Sequence, residues 1–210
     1  MKVLIVDDND LHCQAAVQTL SEHDLTIVSS YDEAYVLIQK TGRMHAPSAE
    51  TRATSFDAVF CDLLMPAGSI AQGIEGQPLV GQIMPVGWAL AINAALRGVR
   101  YVAVISDMSH HDHPGSALLD QMKFQIFELH GARALFTNYL NKLYHPVVDS
   151  EIDCGLCGGS GKSTRTGNGL CRRCSGVGSH IQNGKNWGRI LEVLMSEDTD
   201  IYDSKVLEKY

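Results

Sequence analysis

Apolar runs alternate with helical patterns along this chain. Val3-Leu4-Ile5-Val6 is a short continuous apolar run closed by Asp7 and Asp8, which predicts a buried strand. Leu11 to Ser21 follows with apolar residues at helical spacing, among them Leu11, Ala15 and Leu20. Leu25 to Val28 predicts a second strand. Ser30-Tyr31-Asp32-Glu33 has the capping-box pattern and opens a helix to about Lys40. A polar loop is expected from Thr41 to Ser55, then a third strand over Ala58-Val59-Phe60-Cys61. Trp88 to Leu96 is an alanine-rich helix ended by Gly98, and Tyr101 to Ile105 is a fourth strand. Pro114 to Leu129 predicts a helix, with proline at its start, where a missing N–H costs little. Ala132 to Phe136 is a fifth strand, and Trp187 to Met195 a last helix.

Strands alternating with helices predict an α/β fold: a doubly wound, five-stranded parallel sheet with helices on both faces. Ligands of such sheets bind outside the carboxyl ends of the strands. The residues there are Asp7 and Asp8, Asp62, Ser106 and Asp107, and Asn138. Carboxylates converging on one edge repel unless a cation lies among them, and hard oxygen ligands suit Mg²⁺. A metal-bound carboxylate facing a phosphate donor can attack phosphorus and become an aspartyl phosphate.

Composition narrows the class. The 210 residues are 45% apolar and 7% aromatic, which suits a folded chain with a core. No apolar run approaches the ~20 residues that span a bilayer, so no membrane partner is expected. Acids arrive at Asp7 and Asp8, too early for a secretion signal, and a cytoplasmic location is expected. The six cysteines then read as thiols or metal ligands rather than disulfides. The formal charge is −7, unevenly spread. No acid lies between Asp153 and Glu192, where Lys162, Arg165, Arg172, Arg173, Lys185 and Arg189 fall. That shift marks a separate module.

Inside the module, Gly161-Lys162-Ser163 superficially matches a phosphate-cradling loop. Such a loop needs glycine at position 156, where this chain has Leu156, and it needs a preceding strand and a following helix. Neither is predicted. Cys154-x-x-Cys157 is instead matched by Cys171-x-x-Cys174, each pair followed by glycines, so CxxCxGxG occurs twice. Four thiolates at this spacing suit a closed, tetrahedral, structural Zn²⁺ site. The pattern resembles one zinc-binding half of the cysteine-rich region of DnaJ-type chaperones. Cys13 and Cys61 fall in a helix and a strand and are expected to be inert core residues.

Taken in order, "VLIVDDN", "FDAVFCDLLMP", "VAVIS" and "GARALFTN" resemble the strand ends of a response-regulator receiver domain. The resemblance covers most of residues 1–140 plus the last helix. It implies a flavodoxin-like sheet of order 2-1-3-4-5, with Asp62 as phosphoacceptor and Asp7 and Asp8 holding Mg²⁺. It further implies the Leu64 carbonyl as a metal ligand and Ser106 as the switch hydroxyl. Asn138 stands where receivers carry a lysine. Asparagine donates a hydrogen bond but brings no charge, so a cation would have to come from elsewhere, from Lys142 or Lys185. The implied organisation is a receiver-like domain over 1–148, a zinc-knuckle insertion over 149–182, and a final helix with C-terminal tail over 183–210.

Two loops at the expected active edge are long, Pro66 to Gly87 and Asp107 to His113. The second carries His110, His111 and His113, which read either as a transition-metal or phosphate site or as a solvated helix start.

Three functions remain open. The first is a divergent receiver-like signalling protein, served by an upstream phosphodonor, whose knuckle binds a protein or other macromolecule. The second is a pseudo-receiver that acts as a nucleic-acid-binding or scaffold protein. Six basic residues less the charge of a four-thiolate zinc centre leave about +4 on the module, enough for weak nucleic-acid contact. The third is a phosphatase-like metal-dependent enzyme, after Asp8-Asn9-Asp10. No enzymatic output domain is visible.

Overall fold

The computed structural model describes residues 1–40, 56–70, 74–108, 111–122, 125–138, 143–163 and 169–196. The expected loop from Thr41 to Ser55 lies outside them. Among the described residues, the central sheet has six strands rather than five. They are β1 (Lys2–Val6), β2 (Asp24–Val28), β3 (Ala58–Asp62), β6 (Tyr101–Ile105), β7 (Ile126–Leu129) and β8 (Ala132–Thr137). Their spatial order is β2-β1-β3-β6-β8-β7, and all neighbours are parallel except β7 and β8.

Both faces are covered, which is why the strands read as unbroken apolar runs. Val3, Ile5, Phe60, Ala103, Ile105 and Leu135 face α1 (Asp10–Thr19) and α5 (Trp187–Met195). Leu4, Val6, Val59, Cys61, Val102, Val104 and Phe136 face α2 (Tyr31–Lys40) and α3 (Gly87–Leu96). Ser30 caps α2 as expected, its Oγ accepting the Glu33 N–H at 3.3 Å. Within the long connection after β3, the short strands β4 (Met65–Pro66) and β5 (Ile83–Met84) pair antiparallel. Gly87 opens α3 against the end of β3: a Cβ there would lie 1.9 Å from the Asp62 carbonyl oxygen.

The helix expected over 114–129 is corrected. Its first part is α4 (Pro114–Leu119), and its end is the edge strand β7. Between β7 and β8, His130 and Gly131 both take positive φ, 50° and 82°. Two such residues make the tight turn whose twist suits a hairpin. Ile126 is buried, and Phe127 meets Phe136 edge-on across the pair at 5.2 Å. Pairing on the free edge of β8 thus overrides the helical reading.

The chain between β8 and α5 forms a separate antiparallel hairpin, β9 (Tyr144–Asp153) with β10 (Ser179–Lys185). Its far end carries the cysteine segment. Its near end packs on α1, where Gly184 leaves no room for a side chain: a Cβ would lie 2.6 Å from Ala15 Cβ.

Candidate functional site

Two clusters stand out, one at each end of the β9–β10 hairpin. The first lies at the carboxyl ends of β1 and β3. Asp7 is fully buried and Asp62 is 5% exposed. Lys185, the last residue of β10, is also fully buried. Its Nζ donates to Asp7 Oδ2 at 2.7 Å and to Asp62 Oδ1. The remaining oxygen of each carboxylate accepts a backbone N–H: Asn9 to Asp7 Oδ1 at 2.9 Å, and Leu64 to Asp62 Oδ2 at 2.8 Å. The ammonium also sits 5.4 Å from the centre of the Trp187 ring. Burial alone would lower Lys185, but the carboxylates of Asp62, Asp7 and Asp107 together hold it above the usual lysine value. Burial raises Asp62 to about 6, against the pull of Lys185.

A buried histidine extends this cluster. His12 Nδ1 accepts the backbone N–H of Lys185 at 3.3 Å. Its proton therefore lies on Nε2, which donates to Asp107 Oδ2 at 3.0 Å. That hydrogen bond lowers the Asp107 carboxyl to about 2. The indole N–H of Trp187 donates to the His12 carbonyl at 2.9 Å, which ties α5 to α1.

The other sequence-predicted residues distribute as follows. Asp8 faces solvent. Leu64 is buried and engages Asp62 through its N–H. Ser106 and Asn138 are buried beside the start of α4. Ser106 Oγ lies 3.0 Å from Ser116 Oγ, and Asn138 Nδ2 donates to the Ser116 carbonyl at 3.4 Å. His113 serves as the cap of α4, its Nδ1 accepting the Gly115 N–H at 2.9 Å. His111 is exposed. His110 and Lys142 lie outside the described residues. Asn9 caps α1 by accepting the Leu11 N–H, and Asp10 is the exposed first residue of that helix. The triplet Asp8-Asn9-Asp10 therefore starts a helix. Sequence reasoning missed His12 and Ser116. His12 shares a helical face with the buried Ala15 and Ala16, so a polar residue at a core position was the available signal.

The second cluster is Cys154, Cys157, Cys171 and Cys174. All four are buried, with sulfurs within 4.8 Å of one another. Among the described residues this is the group of histidine, cysteine and acidic side chains close enough to share a metal ion. Cys154 and Cys171 sulfurs are 3.8 Å apart, as are those of Cys157 and Cys174. A tetrahedron with Zn–S bonds of about 2.3 Å has edges of about 3.8 Å, so the four sulfurs fit zinc. Backbone N–H groups serve the sulfurs too. Gly178 donates to Cys174 Sγ at 3.3 Å, and the N–H groups of Cys174 and Arg173 lower Cys171 to about 7. The two halves are stitched by Cys154 N–H to the Gly178 carbonyl at 2.7 Å and Cys171 N–H to the Gly161 carbonyl at 2.8 Å. Lys162 bridges Leu170, so Gly161-Lys162-Ser163 is the rim of this knuckle.

The module is less basic at its surface than its composition implies. Lys185 is inside the acidic cluster, and Arg189 is buried with a 2.8 Å ion pair to Glu192. Removing these two from the six basic residues leaves about +2 beside a four-thiolate zinc centre. Among the described residues no helix is long and apolar enough to cross a membrane. Compared with family models, with curated proteins and with solved structures, the chain matches none.

Proposed function

We propose that this chain is a receiver-like regulatory binding protein whose acidic pocket is filled by its own lysine. Its zinc knuckle is the surface that meets a macromolecular partner. The observation that carries this reading is Lys185, fully buried and donating to both Asp7 and Asp62. Mg²⁺ keeps several waters and needs open space beside its carboxylates, and the buried ammonium takes up that space. Here both oxygens of Asp62 and both of Asp7 already accept hydrogen bonds. For Asp62 to act as a nucleophile, Lys185 would have to shift so that Mg²⁺ and the donor could reach it.

The receiver-like half of the reading is supported by the order of the parallel strands, β2-β1-β3-β6-β8, and by Asp7, Asp62, Ser106 and Asn138 near their carboxyl ends. The binding half is supported by the position of the knuckle, at the end of a hairpin that leaves the central sheet. Its exposed Leu170 and Val177, each 74% exposed, favour a protein partner. The reduced surface charge weighs against nucleic acid.

Phosphorylation of Asp62 is the second reading, favoured by one contact. Lys185 brings to Asp62 the cation that Asn138 does not. The test is incubation with acetyl phosphate and Mg²⁺, read by intact mass. Wild type is expected to show no phosphoryl adduct. Full labelling that Asp62→Asn abolishes would replace the first reading with the second.

A further inference from the structure

The two clusters sit at opposite ends of one hairpin. From the knuckle, Cys154 N–H meets the Gly178 carbonyl, and Ser179, His180 and Ile181 then pair with Asp153, Ile152 and Glu151. The register shifts at Gln182. That irregularity is stitched rather than open. Ser150 Oγ donates to the Val147 carbonyl at 2.6 Å, and the Gln182 N–H returns to Ser150 Oγ at 3.1 Å. Asn183, Gly184 and Lys185 then pair with Pro146, His145 and Tyr144. The ladder is thus interrupted by a bulge of residues 147–150 opposite Gln182, which Ser150 bridges, and hydrogen bonds connect the cysteines to the lysine across it.

Among the described residues, this hairpin pairs with no strand of the central sheet. A two-stranded hairpin alone is marginal in water, so its order depends on what holds its ends. At the near end are α1 and the acidic cluster, with Gln18 bonding both the N–H and the carbonyl of Val148. At the far end are four cysteines in a segment too small to bury a core of its own, where a bound metal would supply the order. Seating Lys185 is itself finely balanced. Desolvating an ammonium and two carboxylates offsets most of their attraction. A modest loss of order in the hairpin is therefore enough to change how much of the time the lysine is seated.

We propose that the metal state of the cysteine cluster controls whether Lys185 occupies the acidic pocket. With metal bound, the hairpin is held at both ends and the lysine closes the pocket. With metal withdrawn, the hairpin frays from its tip, Lys185 leaves, and Asp7 and Asp62 are left without their cation. The knuckle is then a sensor of metal supply as well as a partner-binding surface. This rests on the zinc half of the proposed function and not on its receiver half.

The experiment uses the full chain, its zinc first measured by elemental analysis. Lysine acetylation is followed residue by residue by mass spectrometry, before and after chelation, with the exposed Lys2 as internal standard. Amide exchange of β1 and β3 is followed in parallel. Chelation is expected to raise Lys185 acetylation at least about fivefold, the low end of ordinary coupling between sites, while Lys2 and both strands stay unchanged. Coupling is reciprocal, so Lys185→Met is expected to speed zinc loss to a chromophoric chelator by a similar factor. A zinc-free native protein overturns both the zinc reading and this inference. Zinc present but Lys185 equally protected after chelation overturns the inference alone. So does loss of protection in β1 and β3, because the metal would then hold the whole domain rather than the hairpin.

Discussion

Lys185 donates to Asp62 across 123 residues of chain, inside a pocket that leaves the lysine no exposure. The pair joins the hairpin to the sheet. It also brings a buried cation to the carboxylates of both Asp7 and Asp62.

Removing that ammonium leaves two buried carboxylates facing each other. Lys185→Met is expected to destabilise the fold by about 3–5 kcal/mol in urea unfolding. Lys185→Met combined with Asp62→Asn should cost less than the two single changes added together. Simple additivity would show that the two groups do not interact in solution.

Asp107 gives a pH signature. Its carboxyl is lowered to about 2 by the hydrogen bond from His12. A lowered carboxylate adds stability above its unfolded value, and that stability disappears as pH falls through its folded value. Wild type should therefore lose stability between about pH 4 and pH 2 relative to Asp107→Asn. The side chain is 45% exposed, so the difference is held to about 1 kcal/mol. Parallel acid-denaturation curves for the two proteins would remove the His12 assignment.

One zinc per chain is expected by elemental analysis of protein purified in reducing buffer. Cys154→Ser should abolish it. Two disulfides among the four cysteines under those conditions would exclude the site.

Asn138→Lys tests whether the pocket can take the lysine found in receivers. Asn138 is 4% exposed and donates to the Ser116 carbonyl. A second ammonium would be buried in its place and that bond lost. The expected result is a loss of about 1–3 kcal/mol by thermal or urea unfolding. A variant as stable as wild type would mean that the pocket has room and charge for both lysines.

Gly184→Ala probes the close approach of β10 to α1. The new Cβ would lie 2.6 Å from Ala15 Cβ and 2.9 Å from the Leu11 carbonyl oxygen. Overpacking of this kind costs about 1–3 kcal/mol. An unchanged urea midpoint would show that the hairpin is not seated there.

Local pattern was enough where neighbouring residues carry the information. Both faces of the sheet are covered, so Val3-Leu4-Ile5-Val6 and Tyr101-Val102-Ala103-Val104-Ile105 read directly as buried strands. The acids and hydroxyls that end the strands, and the doubled CxxCxGxG, are likewise short-range signals. Tertiary structure decided the rest. Residues 126–129 joined the sheet because β8 offered a free edge, which no local periodicity reports. His12, Asp107 and Lys185 meet only because Gly184 lets β10 lie against α1. The sequence offers Lys142 and Lys185 as cations for the acidic pocket, but that Lys185 fills it could not be read along the chain. A sequence shows which residues carry charge, but their reach depends on how a hairpin docks 123 residues away from its partner.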